Sequence, residues 1–405
     1  MFIGLYMLSL LIFIYLPNRK NLFAYPLGQP VPVSIVVPCY NESKTIGATI
    51  ESLLNLDYPK EMIEIIVVDD KSADNSAEIV RAYEKKYTNV KLIVNSRNSG
   101  GAAEPTNIGI KAAKYDFVAV TDADSSPERD ALKKMIGFLQ EDNQVAAVTC
   151  AVLSKKPHAF IQKLQAIEYL VIAFGRKLFD LIDSVYVTPG PFALYRKKTL
   201  IEVGLFDTKN LTQDIEIVWR LISRGYKARM CLSAKVYSET PNKFKAWWKQ
   251  RVRWNIGGTQ SLLKYKKLVF KKKMLGAFII PYFSLSLFLG LFGLSIFIYL
   301  LSRRILFYYL STKYSVYAQA TILTLQDLTF TPSVLNFLGA ALFILGAAFT
   351  LIVIGIMNEK EVRNKNILNI LFYLLIYLAI YPLIMITSLT KLISTCVVSF
   401  TKRYG

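Results

Sequence analysis

Apolar positions along this chain fall into two patterns that do not mix. Residues 1–16, 275–301, 334–357 and 367–389 are nearly continuous apolar runs without a single charge. The last three have the length of a bilayer-spanning helix, about 20 residues, and the first falls slightly short of it. Between the first and second runs, short apolar segments alternate with amphipathic ones, the order that a parallel sheet with crossover helices requires. SIVVPCY (34–40), IEIIVVDD (63–70), VKLIVN (90–95) and DFVAVTDAD (116–124) read as strands. Helices are expected over 44–56, 73–87 and 104–114, the second capped by Ser72 or Asp74. Residues 160–185 have helical apolar spacing and read either as a core helix or as one lying on a membrane surface and roofing a ligand site.

The pattern divides the chain into an N-terminal transmembrane anchor (1–16), a soluble domain (30–240), a basic segment (241–273) and an apolar C-terminal region (275–400) of three or four spans. Arg19 and Lys20 follow the first run, whereas a cleaved signal carries its charge ahead of it. With 405 residues, 53% of them hydrophobic, and a net charge of +20, the chain is neither disordered nor fibrous. Eleven Lys and Arg and no acid lie between Pro241 and Lys273, interleaved with Trp247, Trp248 and Trp254. Beside a span, that composition fits anionic lipid headgroups better than nucleic acid. It also places residues 18–274 in the cytoplasm, as expected of an integral protein of the cell membrane with no nucleic-acid partner.

Cys39, Cys150, Cys231 and Cys396 are too scattered for a disulfide framework, and His158 is the only histidine. Histidine-based triads and zinc sites are therefore poorly served, and the chemistry falls to carboxylates. Asp69 and Asp70 close one strand, and Asp122 and Asp124 another, at the sheet end where ligands of such folds bind. No Gly-Xaa-Gly-Xaa-Xaa-Gly turn follows the first strand, which argues against a dinucleotide.

Six motifs in order, VPCYNE (37–42), VVDDKSADNS (67–76), TDADS (121–125), TPGPFALYR (188–196), LTQD (211–214) and QRVRW (250–254), resemble the family 2 glycosyltransferases, in particular the membrane-embedded ones such as cellulose synthase, hyaluronan synthase and ceramide glucosyltransferase. The resemblance implies an α/β, GT-A-like doubly wound nucleotide-sugar-binding domain inserted between transmembrane helices, with interfacial amphipathic helices. It further implies an inverting transfer from a UDP-sugar to an acceptor hydroxyl at the membrane, on a growing polysaccharide or a glycolipid. Membrane lipids are the remaining expected partners. A nonenzymatic membrane scaffold or transport subunit with a degenerate nucleotide-binding domain is the alternative.

Carried over residue by residue, Pro38, Tyr40, Glu42 and Asp70 stand where the family holds the nucleobase and ribose, although Asp69 and Asp70 also suit a plain strand-ending turn. Asp122 and Asp124 match the Asp-Xaa-Asp metal motif, for Mg²⁺ or Mn²⁺ with the donor's phosphates. Asp214 matches the catalytic base, or serves as helix N-cap, with Gln213 where the family usually has Glu. Gln250, Arg253 and Trp254 share one helical face and would meet the diphosphate and the acceptor sugar, Trp254 being otherwise a membrane anchor like Trp247 and Trp248. Gly190 would allow close backbone approach on the acceptor side. Gly101 and Ala102 occupy a loop where many members carry a basic residue, leaving Arg97 or Lys71 as substitutes.

Overall fold

A computed structural model describes residues 2–319, 334–359 and 367–404. After the apolar helix α1 (Phe2–Asn18), the domain builds β1 (Val33–Cys39), α2 (Ile46–Leu54), β2 (Ile63–Asp69), α3 (Ser76–Lys86), β3 (Val90–Val94), α4 (Ala103–Ala112) and β4 (Phe117–Val120). β3, β2, β1 and β4 lie side by side in that order and run parallel. Every residue of β1 and β2 is buried, as expected of parallel strands covered on both faces. Their alternation is complete: Val33, Ile35 and Val37 face one core layer, with Ile46 and Ile50 of α2, while Val36 faces the other, with Ile110 of α4. Each such side chain, fully buried, contributes about 1.5–3 kcal/mol.

The second half departs from simple double winding. β5 (Ser125–Pro127), α5 (Ala131–Glu141), β6 (Val145–Ser154), α6 (Phe160–Asp180), β7 (Ala193–Arg196), α7 (Lys197–Glu202), α8 (Gln213–Ser223) and β8 (Lys227–Ser238) follow. The eight strands form one mixed sheet of order β3-β2-β1-β4-β7-β6-β8-β5, in which β7 runs antiparallel to both β4 and β6. The chain leaves β1 toward β2 on one side and returns to β4 on the other. That topological switch point opens a crevice at the carboxyl ends of β1 and β4.

α9 (Phe244–Tyr265) carries the basic segment and packs beside α8. α10 (Ile280–Ala318) follows a π-helical turn at Leu275–Ile279; α11 (Val334–Met357), α12 (Ile367–Phe372) and α13 (Leu378–Tyr404) complete the described residues. Among the described residues, Leu275–Ala318 is long and apolar enough to cross a membrane, and the bent pair Ile367–Tyr377 and Ile380–Ser394 passes if taken as one span. α6 sits between β6 and β8 on one side and α1, α11 and α12 on the other. Two expectations change. Asn75, not Ser72 or Asp74, is the N-cap of α3, with the Asp74 carboxylate accepting from the Ser76 N–H at 3.0 Å. Trp247 is no membrane anchor: it is fully buried, and its indole N–H donates to the Tyr377 hydroxyl at 2.7 Å.

α4 meets the sheet through Gly109, where a Cβ would stand 2.3 Å from Val36 Cγ1 and 3.2 Å from Val68 Cγ2. Gly109→Ala is expected to lower stability by about 1–3 kcal/mol through overpacking, read as a lower melting temperature in detergent.

Candidate active site

The loops after β1 and β2 are locked together by the motifs that line them. The Asn41 N–H donates to Ser72 Oγ at 2.9 Å, the Glu42 N–H to Ser76 Oγ at 2.8 Å, and the Ser43 N–H to Asp74 Oδ2 at 3.0 Å. Asn41 Oδ1 accepts from the Ala73 N–H at 2.8 Å, and Asn41 itself takes the left-handed conformation (φ 55°) that asparagine tolerates. This interlock fixes one wall of a cavity of about 380 Å³ lined by Pro38, Tyr40, Glu42, Asp70, Asp122 and Asp124 and floored by the loop from Asn98 to Ala102. Tyr40, which also lines the cavity, is half exposed.

Asp70 is buried and already has partners. One oxygen accepts from Asn95 Nδ2 at 2.8 Å; the other accepts from the Ser99 N–H at 2.9 Å and Ser99 Oγ at 2.8 Å. Its carboxylate thus shapes the loop that floors the cavity. Asp69 lies behind it, buried, with one oxygen accepting from the Ser72 N–H at 3.1 Å.

Asp122 and Asp124 emerge after β4. Burial and the charges of Asp124, Asp214 and Glu42 push the Asp122 carboxyl up, against the pull of the Arg253 guanidinium. The Asp124 carboxyl is also raised by burial, offset by Ser125 Oγ at 2.9 Å, Ser238 Oγ at 3.3 Å and the charge of Lys155. Glu42 is raised by burial and by the charges of Asp124 and Asp74, against a hydrogen bond from Thr45. Gly190 makes room for this group: a Cβ there would stand 2.6 Å from Asp122 Oδ1 and 2.9 Å from Oδ2. Thr121 Oγ1 donates to the Pro191 carbonyl at 2.6 Å, tying the Gly190 loop to the end of β4 just before the aspartates.

Asp214 comes from the other half of the domain. Thr212, not Asp214, is the N-cap of α8, and Asp214 stands in the first turn. Burial raises its carboxyl, opposed most by the charge of Arg253 and further by that of Arg176. Its carbonyl accepts from the Thr188 N–H at 3.4 Å, joining it to the Gly190 loop. Arg253 reaches this segment from α9 and donates to the Leu211 carbonyl at 3.1 Å. Gly257 lets α9 approach: a Cβ there would meet Thr212 Oγ1 at 2.3 Å.

The fold therefore gathers Pro38, Tyr40, Glu42, Asp70, Asp122 and Asp124 around one cavity and brings Gly190, Asp214 and Arg253 to Asp122. Gln250 and Trp254 stand on α9 within a turn of Arg253, and Arg251 Nη1 donates to Gln250 Oε1 at 3.4 Å. Neither substitute cation faces the aspartates, since Arg97 pairs with Glu104 at 3.8 Å and Lys71 Nζ donates to the Ser96 carbonyl at 3.1 Å. Lys155, Arg176 and Ser238 act on the site without lying in any motif; only the end of a strand marks Lys155 and Ser238, and nothing local marks Arg176.

A family model described as "Glycosyltransferase like family 2" matches residues 30–257. The chain belongs to glycosyltransferase family 2. This glycosyltransferase is 34% identical over 251 residues to a protein of Staphylococcus aureus named poly-beta-1,6-N-acetyl-D-glucosamine synthase, covering 62% of this chain and 60% of the relative. A protein of the same name from Staphylococcus epidermidis is 34% identical over 266 residues, covering 65% of this chain and 64% of the relative. The match thus spans less than two thirds of the length of these relatives. A mannosyltransferase from Pyrobaculum calidifontis, solved in complex with GDP-Man and Mn²⁺, shares the fold with a TM-score of 0.56 at 18% identity over 95% of each chain. The GT-A-like fold is thereby established, with a mixed sheet.

The raised carboxyl of Asp122 gives the glycosyltransferase a pH-dependent liability. A carboxyl raised above its unfolded value takes up a proton on folding, so it costs stability as the pH climbs from about 4. Asp122→Asn removes that cost. In chelated buffer the variant is expected to melt about 2–4 °C above the parent at pH 8, the equivalent of ~1 kcal/mol, and to lose the advantage near pH 4.

Proposed function

We propose that this glycosyltransferase moves N-acetylglucosamine from UDP-N-acetylglucosamine to a hydroxyl of a growing polysaccharide at the membrane, with inversion at the anomeric carbon. The observation that carries the reading is the convergence of Asp122 and Asp124 with Asp214, from two halves of the fold, at the open end of the sheet. The sugar is taken from the name of the staphylococcal relatives, and membrane placement is supported by the apolar helix Leu275–Ala318.

In this reading Tyr40 stacks on the uracil ring, and Pro38 and Glu42 border the ribose. Asp70 acts through the loop that it holds, more than by direct contact. Two adjacent carboxylates whose affinity for protons is raised by burial, one of them also by the charge of the other, are a fit for a cation. Their oxygen donors suit Mg²⁺ or Mn²⁺, with the cavity side left for phosphate oxygens. The bound ion would offset the charge that grows on the departing nucleoside diphosphate. Arg253 adds a positive charge that acts on both Asp122 and Asp214. Asp214 accepts the proton of the acceptor hydroxyl as its oxygen attacks the anomeric carbon opposite the diphosphate. The raised carboxyl of Asp214 brings it closer to the alkalinity a base needs at neutral pH. Trp254 offers an aromatic face to the acceptor sugar.

Purified protein in detergent, given UDP-N-acetylglucosamine with Mg²⁺ or Mn²⁺, is expected to release UDP and extend a labelled product, and to lose both with chelator. Asp214→Asn is expected to lower kcat by at least 100-fold while retaining donor binding. A labelled lipid carrying a single sugar would move the acceptor from polysaccharide to glycolipid; donor binding without turnover would favour the scaffold reading. Gly190→Ala forces Asp122 aside and is expected to raise the metal concentration needed for half-maximal rate about tenfold, measured by Mn²⁺ titration.

A further inference from the structure

Arg251 lies within the motif that holds Gln250, Arg253 and Trp254, yet its side chain is only 1% exposed. It pairs with the buried carboxylate of Glu168 on α6, and its Nη2 lies 3.4 Å from the Tyr377 hydroxyl. Tyr377 donates to Glu168 Oε2 at 2.7 Å and accepts the indole N–H of Trp247, while the Tyr381 hydroxyl donates to Glu168 Oε1. One carboxylate thus gathers a cation from α9 and two phenols from the C-terminal helices. On its other side the Arg251 guanidinium lies 4.1 Å from the centre of the Trp254 ring, against 5.9 Å for Trp247 and 6.0 Å for Tyr169. Apolar side chains of the same volume would join these helices at least as well, since burying an ion pair costs desolvation. What an apolar pair cannot supply is a planar cation held at one fixed place on an indole face.

We propose that Arg251 is a positioning residue for Trp254: braced by Glu168, Tyr377 and Tyr381, it covers one face of the indole and fixes the opposite face as the platform for the acceptor sugar. The seating of the C-terminal helix then sets acceptor affinity. This rests on the sugar-transfer reading of the site.

The test uses the full chain in detergent, UDP-N-acetylglucosamine as donor and a soluble N-acetylglucosamine oligosaccharide as acceptor probe. Arg251→Met is expected to raise the KM for the oligosaccharide about tenfold while the KM for the donor and acceptor-independent UDP release stay within twofold. Arg251→Lys restores part of that loss, because the charge survives without the plane. Tyr377→Phe, which removes a single hydroxyl and keeps the fold even where Arg251→Met does not, is expected to raise the acceptor KM two- to fivefold. Trp254→Phe combined with Tyr377→Phe is expected to show less than the product of the two single effects. An unchanged acceptor KM in Tyr377→Phe, or equal losses for donor and acceptor, overturns the inference while leaving the transferase reading intact. Absence of transfer by the parent protein overturns both.

Discussion

Asp122 is buried within reach of the charges of Asp124 and Asp214, and several contacts of the surrounding structure hold it there. Burial raises all three carboxyls, and Asp122 also feels the charges of the other two. Left to relax, side chains of this kind would swing into water. Gly190 presses its backbone against Asp122, Thr121 pins the Gly190 loop, and Thr188 joins the same loop to Asp214. In the proposed reading this arrangement would stand ready for positive charge before any arrives, which is how electrostatic catalysis avoids reorganising at the moment of reaction.

α9 is the strut that carries this load. Toward the aspartates it supplies Arg253, admits Thr212 at Gly257, and through Ser261 accepts a hydrogen bond from Asn210 at 3.0 Å. Near its end, Lys264 and Tyr265 reach Glu216 at 2.6 and 2.8 Å; this carboxylate is fully buried and also paired with Arg220 on α8. A buried anion with three donors is tolerable only while all three stay in place, so α8, and with it Asp214, has little freedom to move relative to α9. On its opposite side α9 meets α6 and the C-terminal helices through Arg251 and Trp247.

The parallel half of the sheet was legible because both faces of β1 and β2 are covered, and a strand buried on both sides writes itself as a continuous Val and Ile run. The mixed half was not. β7 has four residues and β5 three, too few to show a period, and their pairing depends on partners far along the chain. Site residues were legible as types at strand ends, since a carboxylate after a buried strand needs a reason. Their partners were not: nothing in Asp70 itself announces that Asn95 and Ser99 occupy both of its oxygens, nor in Trp247 that its N–H faces Tyr377 and not a headgroup. Propensity and pattern report which face is buried; they do not report against what.

The π-helical turn and the first turns of α10 seat the apolar helix directly after the basic segment. Phe278, Tyr282 and Phe283 pack against Phe179, Tyr186 and Trp219, seating the helix under the sugar-transfer domain. From Phe288 onward the large apolar side chains are exposed in numbers that water does not tolerate on a stable protein. From Phe283 to Leu301 the helix rises about 27 Å, close to the ~30 Å of a bilayer's hydrocarbon core, before Arg303 and Arg304 end the uncharged run while the helix continues to Ala318. Lys266, Lys267, Lys271, Lys272 and Lys273 are all exposed immediately before the helix, and under the proposed membrane placement they would meet anionic headgroups. Under the proposed membrane placement, apolar length and lysine cluster would mark the same plane from two directions, with α9 ending against that cluster.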